Sequence, residues 1–216
     1  MAPAASIEAT PLALQVRAAR ASGDSRRALV LYRALAQKGG AAGENAENEI
    51  GRVLRDGLHQ PREAVAAWRL YRAQHPRGLL RIEADISLIE TLVLMGDKTA
   101  AVAEASDFIQ RHPDSERRAE IARLAGDLLR ERGACADAIA AYETALRSGH
   151  GRKDVADGAS FHRAVCTMRG ARSEGMAALQ AYLVSFPNGR FRAEAQGLLN
   201  GTDSAQANKS LRQVAK

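Results

Sequence analysis

Five small residues recur along the chain in one register: Ala28, Ala64, Ala101, Ala138 and Gly175, separated by 36, 37, 37 and 37 residues. Five residues before each stand Gly23, His59, Gly96, Gly133 and Gly170. Four after come Tyr32, Trp68, Ala105, Tyr142 and Leu179, and seven after come Leu35, Tyr71, Phe108, Ala145 and Tyr182. The twelfth position reads Gly40, Pro76, Pro113, His150 and Pro187. Five columns in step leave little freedom. A module this short cannot bury its own apolar face, so neighbouring modules must stack into a linear array.

Each column has a physical reading. In the segment 59–76, Ala64, Val65, Trp68, Tyr71 and Arg72 fall on one face of a 3.6-residue helix, and Pro76 stops it. The glycine column suits the left-handed residue that ends a helix. The small column lets two helices approach, and the aromatic column fills the space beside it. The reading is therefore all-α: antiparallel helix hairpins over 11–21 and 25–37, 44–57 and 61–74, 80–95 and 98–111, 116–132 and 135–147, and 154–169 and 173–185. Phe191 to Leu199 opens a half-formed sixth hairpin. Glycines 39, 40 and 43 are expected in a link, Pro61 in a first helical turn, and Ser115 at an N-cap. Ile82, Ile86, Ile89 and Val93 form an apolar stripe. Residues 1–10 read as a loose lead, 11–200 as the repeat domain, and 201–216 as a polar tail or cap helix.

These columns resemble the tetratricopeptide repeat: a glycine between helices, a small residue five later, then an aromatic, and a proline twelve after the small one. The period of about 37 is longer than the usual ~34. The extra residues fall after the proline, as in Pro76-Arg77-Gly78-Leu79-Leu80 and Pro113-Asp114-Ser115. The run Pro187-Asn188-Gly189-Arg190-Phe191-Arg192-Ala193-Glu194-Ala195 is similar in style to bacterial envelope repeat proteins, such as outer-membrane assembly lipoproteins and the cell-division envelope coordinator. The resemblance implies a right-handed α-solenoid whose first helices line a concave groove, and a non-enzymatic scaffold that binds a partner protein or peptide there. The clamp that some members of the family use for a chaperone tail needs lysines and asparagines at set first-helix positions. Here the asparagine position reads Arg17, Val53, Glu90, Asp127 and Ala164, so that clamp is absent.

The composition narrows the function further. The formal charge is +6, but of the 31 basic residues only five are lysine, and the arginines are interleaved with 25 acids. Phosphate recognition needs a stripe of one sign, so nucleic acid is not the expected partner; an RNA-binding helical repeat is the alternative. No HExxH, paired CxxC, GxSxG or glycine-rich phosphate loop occurs, so catalytic, cofactor-binding and metal residues are expected to be none. His75 and His112 share the place before a proline, which is periodicity rather than a metal site. No run of 18 apolar residues spans a membrane, and no signal or lipoprotein pattern opens the chain. This fits a cytoplasmic protein, or a periplasmic one if the chain is part of a longer anchored or exported protein.

Two constellations stand out from packing. An acid lies nineteen residues after the small column, at Glu47, Glu83, Glu120, Asp157 and Glu194, three of them preceded two residues earlier by Arg81, Arg118 and Arg192. With Glu49, Glu90, Arg123, Asp127 and Arg130, these side chains are candidates for a mixed-charge groove. The alternative is that the column merely complements helix dipoles. The second is the pair Cys135 and Cys166, placed at one edge of the array by antiparallel helices. They are read either as a disulfide closing a loop of about 32 residues, worth roughly 3 to 4 kcal/mol, or as two reduced, small, buried thiols.

Overall fold

The computed structural model describes residues 11–149 and 152–201; the lead, His150, Gly151 and the tail beyond Gly201 lie outside the described residues. Among the described residues there is no strand. Eleven helices follow one another: α1 (Leu12–Ala21), α2 (Ser25–Ala36), α3 (Gly40–Arg52), α4 (Pro61–Gln74), α5 (Arg81–Leu94), α6 (Lys98–Arg111), α7 (Arg118–Glu131), α8 (Cys135–Ser148), α9 (Lys153–Gly170), α10 (Arg172–Ser185) and α11 (Arg192–Asn200). They form two compact units, Met1–Asp97 and Lys98–Lys216. Within each, a helix packs chiefly on its neighbours in sequence: α1 to α4 and α4 on α5 in the first, α6 through α11 in the second. The class is an all-α helical repeat of the solenoid type.

The turn between paired helices follows the glycine column. Gly23, Gly96 and Gly133 have φ of 72°, 74° and 78°, and His59 takes the same left-handed region at φ 55°. Gly170 does not, because α9 runs through it and the extended Ala171 (φ −137°, ψ 92°) ends α9 and begins α10. Two other expectations shift. The glycines after α2 are not a long link: Gly39 is the N-cap of α3, which starts at Gly40, and a Cβ at Gly43 would lie 3.0 Å from the Ala36 carbonyl oxygen. Ser115 caps a turn rather than a helix, its Oγ accepting from the Arg117 N–H at 3.2 Å before α7 begins. A π turn, Val53–Gly57, extends α3, whereas Pro61 occupies the first turn of α4 as the sequence indicates.

The small and aromatic columns supply the core. Ala28, Ala64, Ala101 and Ala138 are buried, as are Tyr32, Trp68, Tyr142, Tyr71, Phe108 and Tyr182. In two hairpins the ring seats on a glycine of the first helix: a Cβ at Gly51 would overlap the Trp68 indole, and one at Gly126 would lie 2.6 Å from Cε1 of Tyr142. The +7 aromatic meets a ring one turn later, Tyr71 with His75 at 5.0 Å, Phe108 with His112 at 4.8 Å and Tyr182 with Phe186 at 5.4 Å.

The fifth member of the small column is glycine because α10 lies directly on α9. A Cβ at Gly175 would overlap the Cα and backbone nitrogen of Met168, atoms that cannot rotate away. Gly175→Ala, which matches the other four repeats, is therefore expected to lower stability by about 1 to 3 kcal/mol through overpacking, despite the ~1 kcal/mol by which alanine favours a helix interior over glycine. A denaturant midpoint that stays put or rises would show that α10 can separate from α9 at no cost.

Candidate partner-binding face

The link after the second helix is built by a set of residues that recurs within the chain. Tyr71 donates its hydroxyl hydrogen to Glu44 Oε1 (2.7 Å) and accepts from the Leu80 N–H (3.2 Å). Tyr182 repeats both contacts, donating to Asp157 Oδ1 (2.6 Å) and accepting from the Phe191 N–H (3.1 Å). Each pair sits against a link glycine: a Cβ at Gly78 would lie 2.6 Å from Glu44 Oε1, and one at Gly189 would lie 2.8 Å from Asp157 Oδ1. Of the two intervening repeats, one holds Phe108, with no hydroxyl, and Ser115 in place of the link glycine, and the other holds Ala145 and Arg152 at the same offsets. Tyrosine and glycine therefore come and go together, whereas the acid column keeps its member Glu83 in the repeat of Phe108. Burial, followed by the Asp157 hydrogen bond, pushes the Tyr182 hydroxyl up to about 12, so it remains a donor.

Two of the three arginines that precede the acid column by two residues close helices, and the third closes the link. Arg81 donates to the Arg72 carbonyl (3.5 Å) and Arg118 to the Ile109 carbonyl (3.1 Å), in each case nine residues back in the last turn of the preceding helix; Arg192 donates to the Pro187 carbonyl. Helix C-termini leave four such carbonyls without intrahelical partners, and this column satisfies some of them. The acids divide. Glu47 meets His75 Nε2 at 2.6 Å, and Asp157 is buried, also accepting from the Arg190 N–H at 2.9 Å. Glu120 forms a two-point pair with Arg117 at 2.8 and 3.2 Å, while Glu83 and Glu194 are exposed in first helical turns.

The remaining candidates separate by unit. In the first, Glu49 is buried between Arg20 (3.2 Å) and Arg52 (3.0 Å), tying α1 to α3, and Glu90 is exposed with Arg55 at 3.6 Å. In the second, α7 and α9 are in contact as first helices of successive hairpins, and they gather Arg123, Asp127 and Arg130 with His162. Asp127 Oδ1 accepts from the Tyr142 hydroxyl (2.9 Å) and faces His162 Nδ1 (3.0 Å), while Oδ2 pairs with Arg123. Burial raises the Asp127 carboxyl, but hydrogen bonds from His162 and Tyr142 outweigh it and hold the group below the usual carboxylate range. Burial and the adjacent Asp127 charge push the Tyr142 hydroxyl up, and Arg130 approaches that hydroxyl. The result is a partly exposed surface with fixed charges of both signs. His162, which belongs to no metal or catalytic motif in the sequence, is central to it; its placement opposite Asp127 across two helices leaves no motif in the linear chain. Arg190, from the Pro187–Ala195 run, lies over the Phe191 ring at 5.4 Å.

Among the described residues, no group of three His, Cys, Asp or Glu side chains could hold a metal ion, and no helix is long and apolar enough to cross a membrane. Cys135 is half-buried and Cys166 buried, both as free thiols.

Stacked two-helix repeats with a glycine turn, a small-residue contact and a proline after the second helix define a protein of the tetratricopeptide type by fold. No family model matches the sequence, and no curated protein does. Among solved structures, the chain is similar to a tetratricopeptide repeat protein from Parabacteroides merdae ATCC 43184, with TM-score 0.62, 15% identity, and coverage of 95% of this chain and 79% of that one. It is also similar to the MamA protein, with TM-score 0.60, 18% identity, and coverage of 86% and 93%. At such identities the likeness is one of fold.

Proposed function

We propose that the chain is a non-catalytic scaffold that receives an extended polar segment of a partner protein on the surface of its first helices. The observation that carries this reading is the α7–α9 surface, where Arg123, Asp127, Arg130 and His162 present both signs of charge in positions fixed by buried neighbours. A segment carrying both signs would complement it; a nucleic acid, uniformly negative, would meet Asp127 and Glu120 as well as the arginines. In the first unit, taken by itself, Glu83 and Glu90 are exposed candidates, whereas Glu49 and Asp157 act through contacts inside the chain. The run from Pro187 to Ala195 supports a role in bacterial envelope assembly or membrane-linked regulation.

The test is capture with crosslinking from the native cell. Glu83→Arg combined with Glu120→Arg alters an exposed acid and a half-exposed pair, changes expected to shift stability by less than about 1 kcal/mol. Partners held by the wild-type chain should be lost from the double variant at unchanged melting. Equal capture would return both acids to the role of helix-dipole complements, and steeply salt-dependent retention of RNA on a filter would replace a protein partner with a nucleic acid.

A further inference from the structure

The two cysteines have no part in the surface just described, and their surroundings suit a different chemistry. Cys135 is the first residue of α8, and Cys166 lies about one turn before the end of α9. The helices pack together, and both sulfurs belong to the cluster built on Ala138, Tyr142, Ala145 and Ala159. Cys135 packs against the cluster that holds Cys166, and burial, followed by a hydrogen bond with the Cys135 side chain, pushes the Cys166 thiol up to about 12. Their exposure differs, Cys166 being 2% exposed while Cys135 stands half-buried at the rim. Arg169, on the last turn of α9, brings Nη1 to 3.7 Å from Cys135 Sγ. One reachable sulfur beside a cation, with a second sulfur shielded behind it, is the arrangement of an attacking and a resolving thiol.

We propose that Cys135 and Cys166 form a reversible intrachain thiol–disulfide site whose co-reactant is a peroxide. The Cys135 sulfur attacks one peroxide oxygen as the O–O bond breaks, the Arg169 guanidinium steadying the charge on sulfur. The other oxygen leaves as water with the thiol proton, and Cys135 is left as the sulfenic acid. Cys166 then attacks that sulfur; the S–S bond forms, the S–O bond breaks, and a second water leaves with the Cys166 proton. Two thiols are oxidised and one peroxide is reduced to two waters. A dithiol reverses the bridge by exchange. The bridge would fasten the start of α8 to the end of α9, beneath helices that also carry Tyr142 and His162.

The experiment uses the full chain, first reduced, then exposed to hydrogen peroxide at low protein concentration, and read by intact mass with and without alkylation. The expected product is a monomer lighter by about 2 Da with no alkylatable thiol, restored to two by dithiothreitol. Cys166→Ser should stop at the sulfenic acid, heavier by about 16 Da, and Arg169→Ala should slow bridge formation severalfold while Arg169→Lys retains most of the rate. Two thiols still alkylated in the wild-type chain after peroxide, or a bridge found only between chains, would overturn the proposal. That readout needs no variant to fold.

Discussion

Trp68→Ala will lower the stability of the unit that contains it by about 3 to 5 kcal/mol, the usual cost of deleting a buried large aromatic. Trp68 is fully buried, and two features of its site keep the structure from closing over the space it leaves. The indole lies flat against Gly51, so the α3 backbone already forms one wall and has no side chain to move in. The indole N–H donates to Asn48 Oδ1 at 3.2 Å, and Asn48 is itself only 1% exposed. Removing the ring therefore leaves a buried amide without its donor, which places the loss toward the upper end of that range. Chemical denaturation followed by far-ultraviolet circular dichroism measures the loss. Trp68→Phe, which keeps most of the volume and drops only the N–H, should fall between the two. A Trp68→Ala curve that overlays the wild type would mean that α3 and α4 are held together by something other than this ring.

Most of the fold could be read from the sequence because it is periodic. Helix bounds such as Pro61–Gln74 and Lys98–Arg111 follow from where glycine and proline fall, and the small and aromatic columns are core because one face of each helix must be. The π turn at Val53–Gly57 could not be read this way, since it depends on how α3 meets its neighbours and not on a residue type. The site was less legible for a related reason. The acid column is regular in sequence but not in role: Asp157 serves a tyrosine, Glu47 a histidine, and Glu120 its own neighbour. A period shows that positions are equivalent in the fold, while their hydrogen-bond partners lie on other helices at separations such as the 35 residues between Asp127 and His162. The tyrosine–glycine link is legible in the sequence. Phe108 and Ser115 replace tyrosine and glycine in the same repeat, and that paired exception is visible in the chain.

Asp85→Ala is expected to be as damaging as the loss of Trp68, for an electrostatic reason. Arg72 falls on the apolar face of α4 beside Trp68 and Tyr71, and a cation there requires a partner on whatever packs against it. The partner is Asp85, 4% exposed, whose Oδ1 lies 3.0 Å from Arg72 Nε and whose Oδ2 lies 3.0 Å from Arg81 Nε, across the α4–α5 contact. The arginine side chains are only 16% and 12% exposed. Taking away the shared carboxylate removes the anion that both largely buried guanidiniums pair with, and breaking a buried pair in this way costs about 3 to 5 kcal/mol. Asp85→Asn keeps the shape and removes the charge, so it separates packing from electrostatics: it should lose nearly as much as alanine if charge dominates. Adding Arg72→Met to Asp85→Leu should then recover most of the loss, because an apolar set of similar volume can replace a buried ion pair. An Asp85→Ala variant as stable as the wild type, at any salt concentration, would place water at this contact and remove the carboxylate from the forces that hold α4 to α5.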